Sequence, residues 1–175
     1  MQRILTVFVL ALACLAAGFT NRAAAQAVMP LAPSSVPLPA QQAFEKLHPG
    51  VKTVRWTAHN WRRQRHIVAH YLLNTERRFA RFTEGGKLLS AGRLFRPGEL
   101  PAGIRTAAQT QYPDAQLRWA LEVQSAQNRA RFFYVRLLRG KTILHGFYDA
   151  DGAKLTEDQL PEVVSAQVES ATAEE

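Results

Sequence analysis

The phrase HPGVKTVRW (residues 48–56) returns as YPDAQLRW (residues 112–119), with Pro49 matching Pro113 and Trp56 matching Trp119. The residue before a proline is pushed out of the α region, so His48 and Tyr112 each mark the end of a helix. The residues after each proline alternate as a half-buried strand does. Val54, Trp56 and Ala58 fall on one face, as do Leu117, Trp119, Leu121 and Val123, while Arg55 and Arg118 point the other way. Helix, proline turn and tryptophan-bearing strand therefore occur twice.

Working outward, more of the chain repeats. Leu38-Pro39-Ala40 returns as Leu100-Pro101-Ala102, and Leu160-Pro161 begins a third, truncated start. YLLNTERR (71–78) is echoed by RLLRGKTI (136–143), and FTEGGKL (82–88) by YDADGAK (148–154). Correspondences in one order at a near-constant spacing are the signature of a tandem duplication. In each copy an apolar stripe defines the opening helix: Ala43, Phe44 and Leu47 in the first, Ile104, Ala107 and Ala108 in the second. Turns at Asn74-Thr75, Arg139-Gly140 and the glycine-bearing EGGK and DADGA then separate further strands. The predicted fold is α+β: a tandem repeat of one helix plus a four-stranded antiparallel meander, over residues 38–98 and 99–160, with the helices packed on one face of the sheet. Residues 161–175 are acidic and alanine-rich, and are expected as a short helix or a frayed tail.

The N-terminus bounds the compartment. Arg3 precedes an almost wholly apolar run from Ile4 to Phe19, and Ala23-Ala24-Ala25 supplies an A-x-A cleavage pattern. Residues 1–25 read as a secretory signal peptide cut near Ala25, which places the product in the periplasm or outside the cell. A lipoprotein signal at Cys14 is the alternative, but Ala11 stands where such signals prefer leucine. Cys14 is the sole cysteine, so the processed chain is expected to lack disulfides, thiol catalysis and thiolate metal sites. Residues 26–37, QAVMPLAPSSVP, read as a flexible tether. No stable transmembrane segment is expected after processing.

Charge separates the copies. Residues 38–98 carry twelve Lys and Arg against three Asp and Glu, a net of +9, whereas residues 99–160 carry eight against seven, a net of +1. The basic excess concentrates in RWTAHNWRRQRHIVAHY (55–71), read as a strand, a connecting loop at 59–64 and a second strand. On a strand His66 and His70 lie about 13 Å apart, too far to chelate one ion, so no metal site is expected and these histidines sit on a half-exposed strand. Asp149-Ala150-Asp151-Gly152 opens like a calcium loop, but Leu160 stands at the twelfth position, where the bidentate glutamate belongs. There is no G-x-S-x-G, and acids in the first copy are limited to Glu45, Glu76 and Glu84, which leaves little for paired-carboxylate chemistry. No cofactor is implied, and export argues against a nucleic-acid partner.

Phe44, HPGVKTVRW, FTEGGKLL, LPAGI, YPDAQLRW and YDADGAKL, taken together and in this order, resemble the PepSY-like, beta-lactamase-inhibitor-like domains of exported bacterial proteins. The likeness covers residues 38–156. It departs at Thr83, where the family usually has aspartate, and in the basic loop at 59–65. The resemblance implies a sheet whose concave face grips a partner, and it carries no catalytic residues. The expected function is a non-enzymatic binding module for an acidic protein of the cell envelope. Arg55, Trp61, Arg62, Arg63, Arg65 and Tyr71 are the expected partner-facing residues, because arginine and aromatic side chains dominate interface hot spots. The alternatives are a small envelope hydrolase and a binder of anionic lipid or glycan.

Overall fold

A computed structural model describes residues 28–173; the expected signal peptide, its cleavage site and Cys14 lie outside them. The chain runs β1 (Met29–Leu31), α1 (Leu38–Leu47), β2 (Val54–Trp61), β3 (Gln64–Leu73), β4 (Glu76–Thr83), β5 (Leu88–Phe95), α2 (Ala102–Gln111), β6 (Gln116–Ser125), β7 (Arg131–Arg139), β8 (Thr142–Asp149), β9 (Lys154–Leu155) and α3 (Glu162–Ala173). All nine strands form one antiparallel sheet in sequence order. Every strand therefore pairs with its chain neighbours, and tight turns set the register. Arg62-Arg63 and Asn74-Thr75 both have φ positive at each central residue (44° and 69°, 49° and 71°), the backbone of a two-residue type I′ hairpin. The connection expected at 59–64 is consequently only two residues long, and His59, Asn60 and Trp61 belong to β2.

Alternation along the strands assigns the faces. In β3, Ile67 and Ala69 pack with Trp56, Phe82 and the Ala40 and Phe44 side chains of α1, while Val68 between them packs on the opposite side. In β7, Phe133, Val135 and Leu137 join Ile104 and Ala108 of α2, while Tyr134 points away. On that second side Val68, Phe79, Leu121, Val123 and Tyr134 meet Val164 of α3. Thus α1 and α2, the two repeat helices, share one face as expected, and α3 covers the other, which the expectation did not assign. A sheet this wide has two faces to dry, and the repeat-borne helices cover only one.

The sheet curls around α3. Strands β2 and β8 stand six strand spacings apart, about 29 Å if the sheet were flat, whereas a helix is only about 10–12 Å across. Yet Trp61 of β2 and Phe147 of β8 line one cavity of about 330 Å³ together with Ser165 and Val168 of α3. The α3 side of the sheet is therefore the concave one.

Two features depart from expectation, and one alternative left open by the sequence is decided. Residues 29–31 are a strand on β2, with Leu31 opposite Trp56, and Val36 is buried. The side chain of Gln41 donates hydrogen bonds to the carbonyls of Pro33 (3.1 Å) and Val36 (2.8 Å). The stretch read as a tether is thus tied down by Leu31, Val36 and these bonds. Over its described residues the acidic C-terminal segment, expected as a short helix or a frayed tail, is the packed helix α3, with Val164, Ala166, Gln167 and Ser170 buried. The second departure is Trp119. The register of β6 shifts between Leu117 and Trp119, so Arg118 is an extra residue and alternation reverses across it. Leu117 stays with α2, while Trp119 crosses to the α3 side and meets Tyr134 edge-on at 5.2 Å. Trp56 and Trp119 match in sequence and sit on opposite faces.

Candidate functional site

The six residues expected to face a partner do not form one surface. Tyr71 is a core residue on the α1 face: it is 5 % exposed, stands edge-on to Phe44 at 5.0 Å, and its hydroxyl lies 2.7 Å from His48 Nε2. Burial raises its pKa, which keeps the phenol protonated. Trp61 donates its indole N–H to Glu162 Oε1 at 3.1 Å, and Arg62 pairs with the same oxygen at 3.4 Å, so both hold the first turn of α3. Arg62 and Arg63 occupy the hairpin turn, and Arg65 pairs with Glu84 at 3.0 Å. Arg55 lines the open groove beside α3, and Tyr71, although packed on α1, also borders it.

Beneath α3 lies a polar network that the strand pattern did not single out. Arg81 is fully buried. Its Nε donates to Gln167 Oε1 at 2.9 Å and its Nη2 to the Ala166 carbonyl at 3.1 Å, both on α3. Its Nη1 lies 3.2 Å from His59 Nδ1 and 3.0 Å from His66 Nδ1. A guanidinium only donates, so both Nδ1 atoms accept and each imidazole carries its proton on Nε2. Burial first, and the Arg81 charge second, push both histidines down to about 4. Of the two histidines expected on a half-exposed strand, His66 is instead a buried neutral acceptor while His70 is half-buried, and His59, expected in the connecting loop, is a second buried neutral acceptor. Among the described residues no cluster of three His, Cys, Asp or Glu is placed to hold a metal ion.

Beside α3 the concave face stays open as a groove of about 930 Å³. Five arginines line it: Arg55 from β2, Arg77 and Arg78 from β4, Arg96 just after β5, and Arg118 from the β6 bulge; of these Arg78 reaches it from the α1 side, opposite Tyr71, and is paired with Glu76. Glu99 is the one acidic residue in the lining. Phe79, Leu121 and Trp119 supply the apolar floor, and Arg136 stacks over Trp119 with its guanidinium carbon 5.8 Å from the ring centroid. His70, on the rim, has Nε2 3.0 Å from the Thr57 hydroxyl. That pair has the reach of a nucleophile and base, but Thr57 is fully buried and offers no substrate access. A concentration of like charge in a concave, low-dielectric setting focuses the field and draws anions.

Sequence reasoning found Arg55 and missed Arg77, Arg78, Arg96 and Arg118 because they are spread over 42 positions and meet only through strand order. One signal was available for the buried arginine: in ERRFARFT, Arg81 shares a strand face with Phe79.

No protein-family model and no curated protein matches the chain. Its fold does match solved structures. A DUF2874 family protein from Bacteroides ovatus superposes with a TM-score of 0.61 at 15 % identity, over 69 % of this chain and 84 % of that one. A DUF2874 family protein from Bacteroides uniformis gives 0.61 at 18 % identity, over 69 % and 86 %. A BLIP-like protein from Bacteroides fragilis gives 0.56 at 17 % identity, over 67 % and 82 %. The chain therefore has an α+β fold of the BLIP-like kind.

Proposed function

We propose that this chain is an exported, non-enzymatic binding module that recognises an acidic protein partner in the cell envelope through its arginine-lined groove. The observation that carries the proposal is the groove itself: five arginines and one glutamate around an apolar, tryptophan-bearing floor on the concave face. Aromatic anchors ringed by arginine match the composition of interface hot spots. The binding residues are Arg55, Arg77, Arg96, Arg118 and Trp119, in place of the scattered set expected from the hairpin. The BLIP-like likeness and the signal-like N-terminus support an exported binder, PepSY-like in origin, and the paired helix-plus-four-strand segments support descent from one duplicated unit.

The test is capture from an envelope fraction with the exported protein, beside a variant carrying Arg77→Glu and Arg118→Glu. One defined acidic protein, lost with the variant and with added salt, is the expected result. Capture that the double variant leaves unchanged refutes the groove. Recovery of anionic glycan or lipid vesicles instead moves the function to those ligands, and turnover of a recovered molecule makes the chain an enzyme. Intact-mass analysis of the same material should give a chain beginning at Gln26, and a lipid on Cys14 would overturn that start.

A further inference from the structure

The concave face has two parts, the open groove and the part under α3, and the second is occupied by the chain's own acidic C-terminal helix. We infer that the whole concave face is a helix-binding surface, that α3 is its resident and exchangeable occupant, and that the partner docks an acidic helix where α3 now lies. This deepens the reading of the face as a site for an acidic partner and rests on it.

Four observations carry the inference. First, α3 has no large anchor: it is held by Val163, Val164, Val168 and Ala171 and by the two hydrogen bonds from Arg81. Its buried residues are Val164, Ala166, Gln167 and Ser170, without an aromatic anchor such as the Phe44 that fastens α1. Second, the contact is imperfectly satisfied. The buried His59 Nε2 has no hydrogen-bond partner and stands 3.8 Å from Glu169 Oε1, and the buried Ser170 Oγ also lacks one. Each such atom gives back part of what the packing contributes. Third, the surface α3 covers is continuous with the open groove: Phe79 and Leu121 belong both to the apolar patch under α3 and to the groove floor, and Gln167 and Ala171 of α3 border the groove. Fourth, charge complementarity defines the occupant. Residues 161–175 carry four glutamates and no Lys or Arg, and they dock by Glu162 onto Trp61 and Arg62 and by Glu169 toward His59. A partner helix with an acidic first turn, small side chains on its docking face and a carboxylate two turns on would make the same contacts.

The probe is a labelled synthetic peptide of residues 161–175, added to the exported protein and to its Glu162→Lys variant. That change removes the Trp61 bond and sets a cation against Arg62, so it loosens the resident helix without entering the core. The expected result is peptide binding at least about tenfold tighter to the variant than to the parent, with the α3 amides exchanging hydrogen about a hundredfold faster than those of Ala69 and Ala80 in the central strands. Trp61→Phe keeps the ring but removes the N–H from the site itself, a bond that resident and added helix lose alike, so it should speed α3 exchange without tightening peptide binding. Equal peptide binding to the parent and the Glu162→Lys variant, or α3 protection matching the central strands throughout, overturns the exchange. Dimers without peptide uptake overturn it as well, in favour of α3 swapping between copies. An acidic partner still captured while α3 never opens leaves the groove standing and the exchange refuted. Peptide exchange that persists in a protein whose Arg77→Glu and Arg118→Glu changes do not affect capture supports the exchange and removes the groove.

Discussion

Lowering the pH from 7 to 5 should strip this protein of a large share of its stability, because His59 and His66 are neutral acceptors for Arg81. Both are held down to about 4 in the folded chain, against an ordinary value of 6.5. Between those values the unfolded chain binds more protons than the folded one, so stability falls as pH falls through the window and the loss is complete below 4. At pH 5 the difference is about 2 kcal/mol for each histidine, or about 4 kcal/mol together, against a typical domain stability of about 5–15 kcal/mol. Glu169 near His59 and Glu162 near His66 oppose the effect, and the Arg81 charge reinforces it. Urea unfolding followed by tryptophan fluorescence at pH 7, 6 and 5 measures the loss directly. The control is His59→Asn with His66→Asn, whose amide oxygens can still accept from Arg81 and do not titrate. His48, lowered by burial and by Arg78, remains in the control, so its slope should shrink by more than half without vanishing. A parent protein that loses less than about 1 kcal/mol by pH 5, or a control as acid-sensitive as the parent, refutes the assignment of neutral, Arg81-facing imidazoles.

Three further outcomes rest on single contacts. Trp56→Ala removes a ring that is 7 % exposed and stands edge-on to Phe44 at 5.4 Å; it should cost about 3–5 kcal/mol and lower the melting temperature by about 10 °C, with Trp119→Ala, on the half-open face, costing clearly less. Gly92→Ala would drive a Cβ into the Glu122 carbonyl oxygen and to within 2.9 Å of the Phe79 ring, so it should destabilise by about 1–3 kcal/mol or more and unpair β5 from β6, read as lost amide protection along both strands. Tyr71→Phe should lose about 1 kcal/mol with the His48 hydrogen bond in a denaturant titration, and should leave binding of an acidic ligand unchanged, because the ring stays packed on Phe44 and the lost hydroxyl is bonded to His48.

The order of elements was legible because it is written in local signals. Proline after His48 and Tyr112, alternation through Val54, Trp56 and Ala58, and the Asn74-Thr75 turn each act within a few residues, and a meander whose neighbours in space are neighbours in sequence needs little else. Two things were not local. The bulge at Arg118 leaves the letters LRW looking like VRW, yet one extra residue in the ladder carries Trp119 to the other face. Nor does the amphipathic pattern of α3 say which face of the sheet it will cover; that depends on α1 and α2 having already taken the first.

The site was legible only as charge, and the reason lies in that same assignment of faces. In a sheet of nine strands a run such as RWTAHNWRRQRHIVAHY sends alternate residues to opposite sides, so a dense stretch of arginine and aromatic residues is split as it folds. Tyr71 goes to the α1 core, Trp61 and Arg62 go to the first turn of α3, and Arg55 goes to the groove. The groove gathers its other arginines one or two at a time from β4, the end of β5 and β6, and of these only the β4 window RRFAR (77–81) is locally basic, with its Arg81 spent beneath α3. Composition points to the sign of charge that the proposed partner carries, because net charge survives any permutation of faces. Position could not be had the same way: it depends on strand order multiplied by the parity of every register, and the single bulge in β6 is enough to decide whether Trp119 lies under a helix or on the floor of the groove.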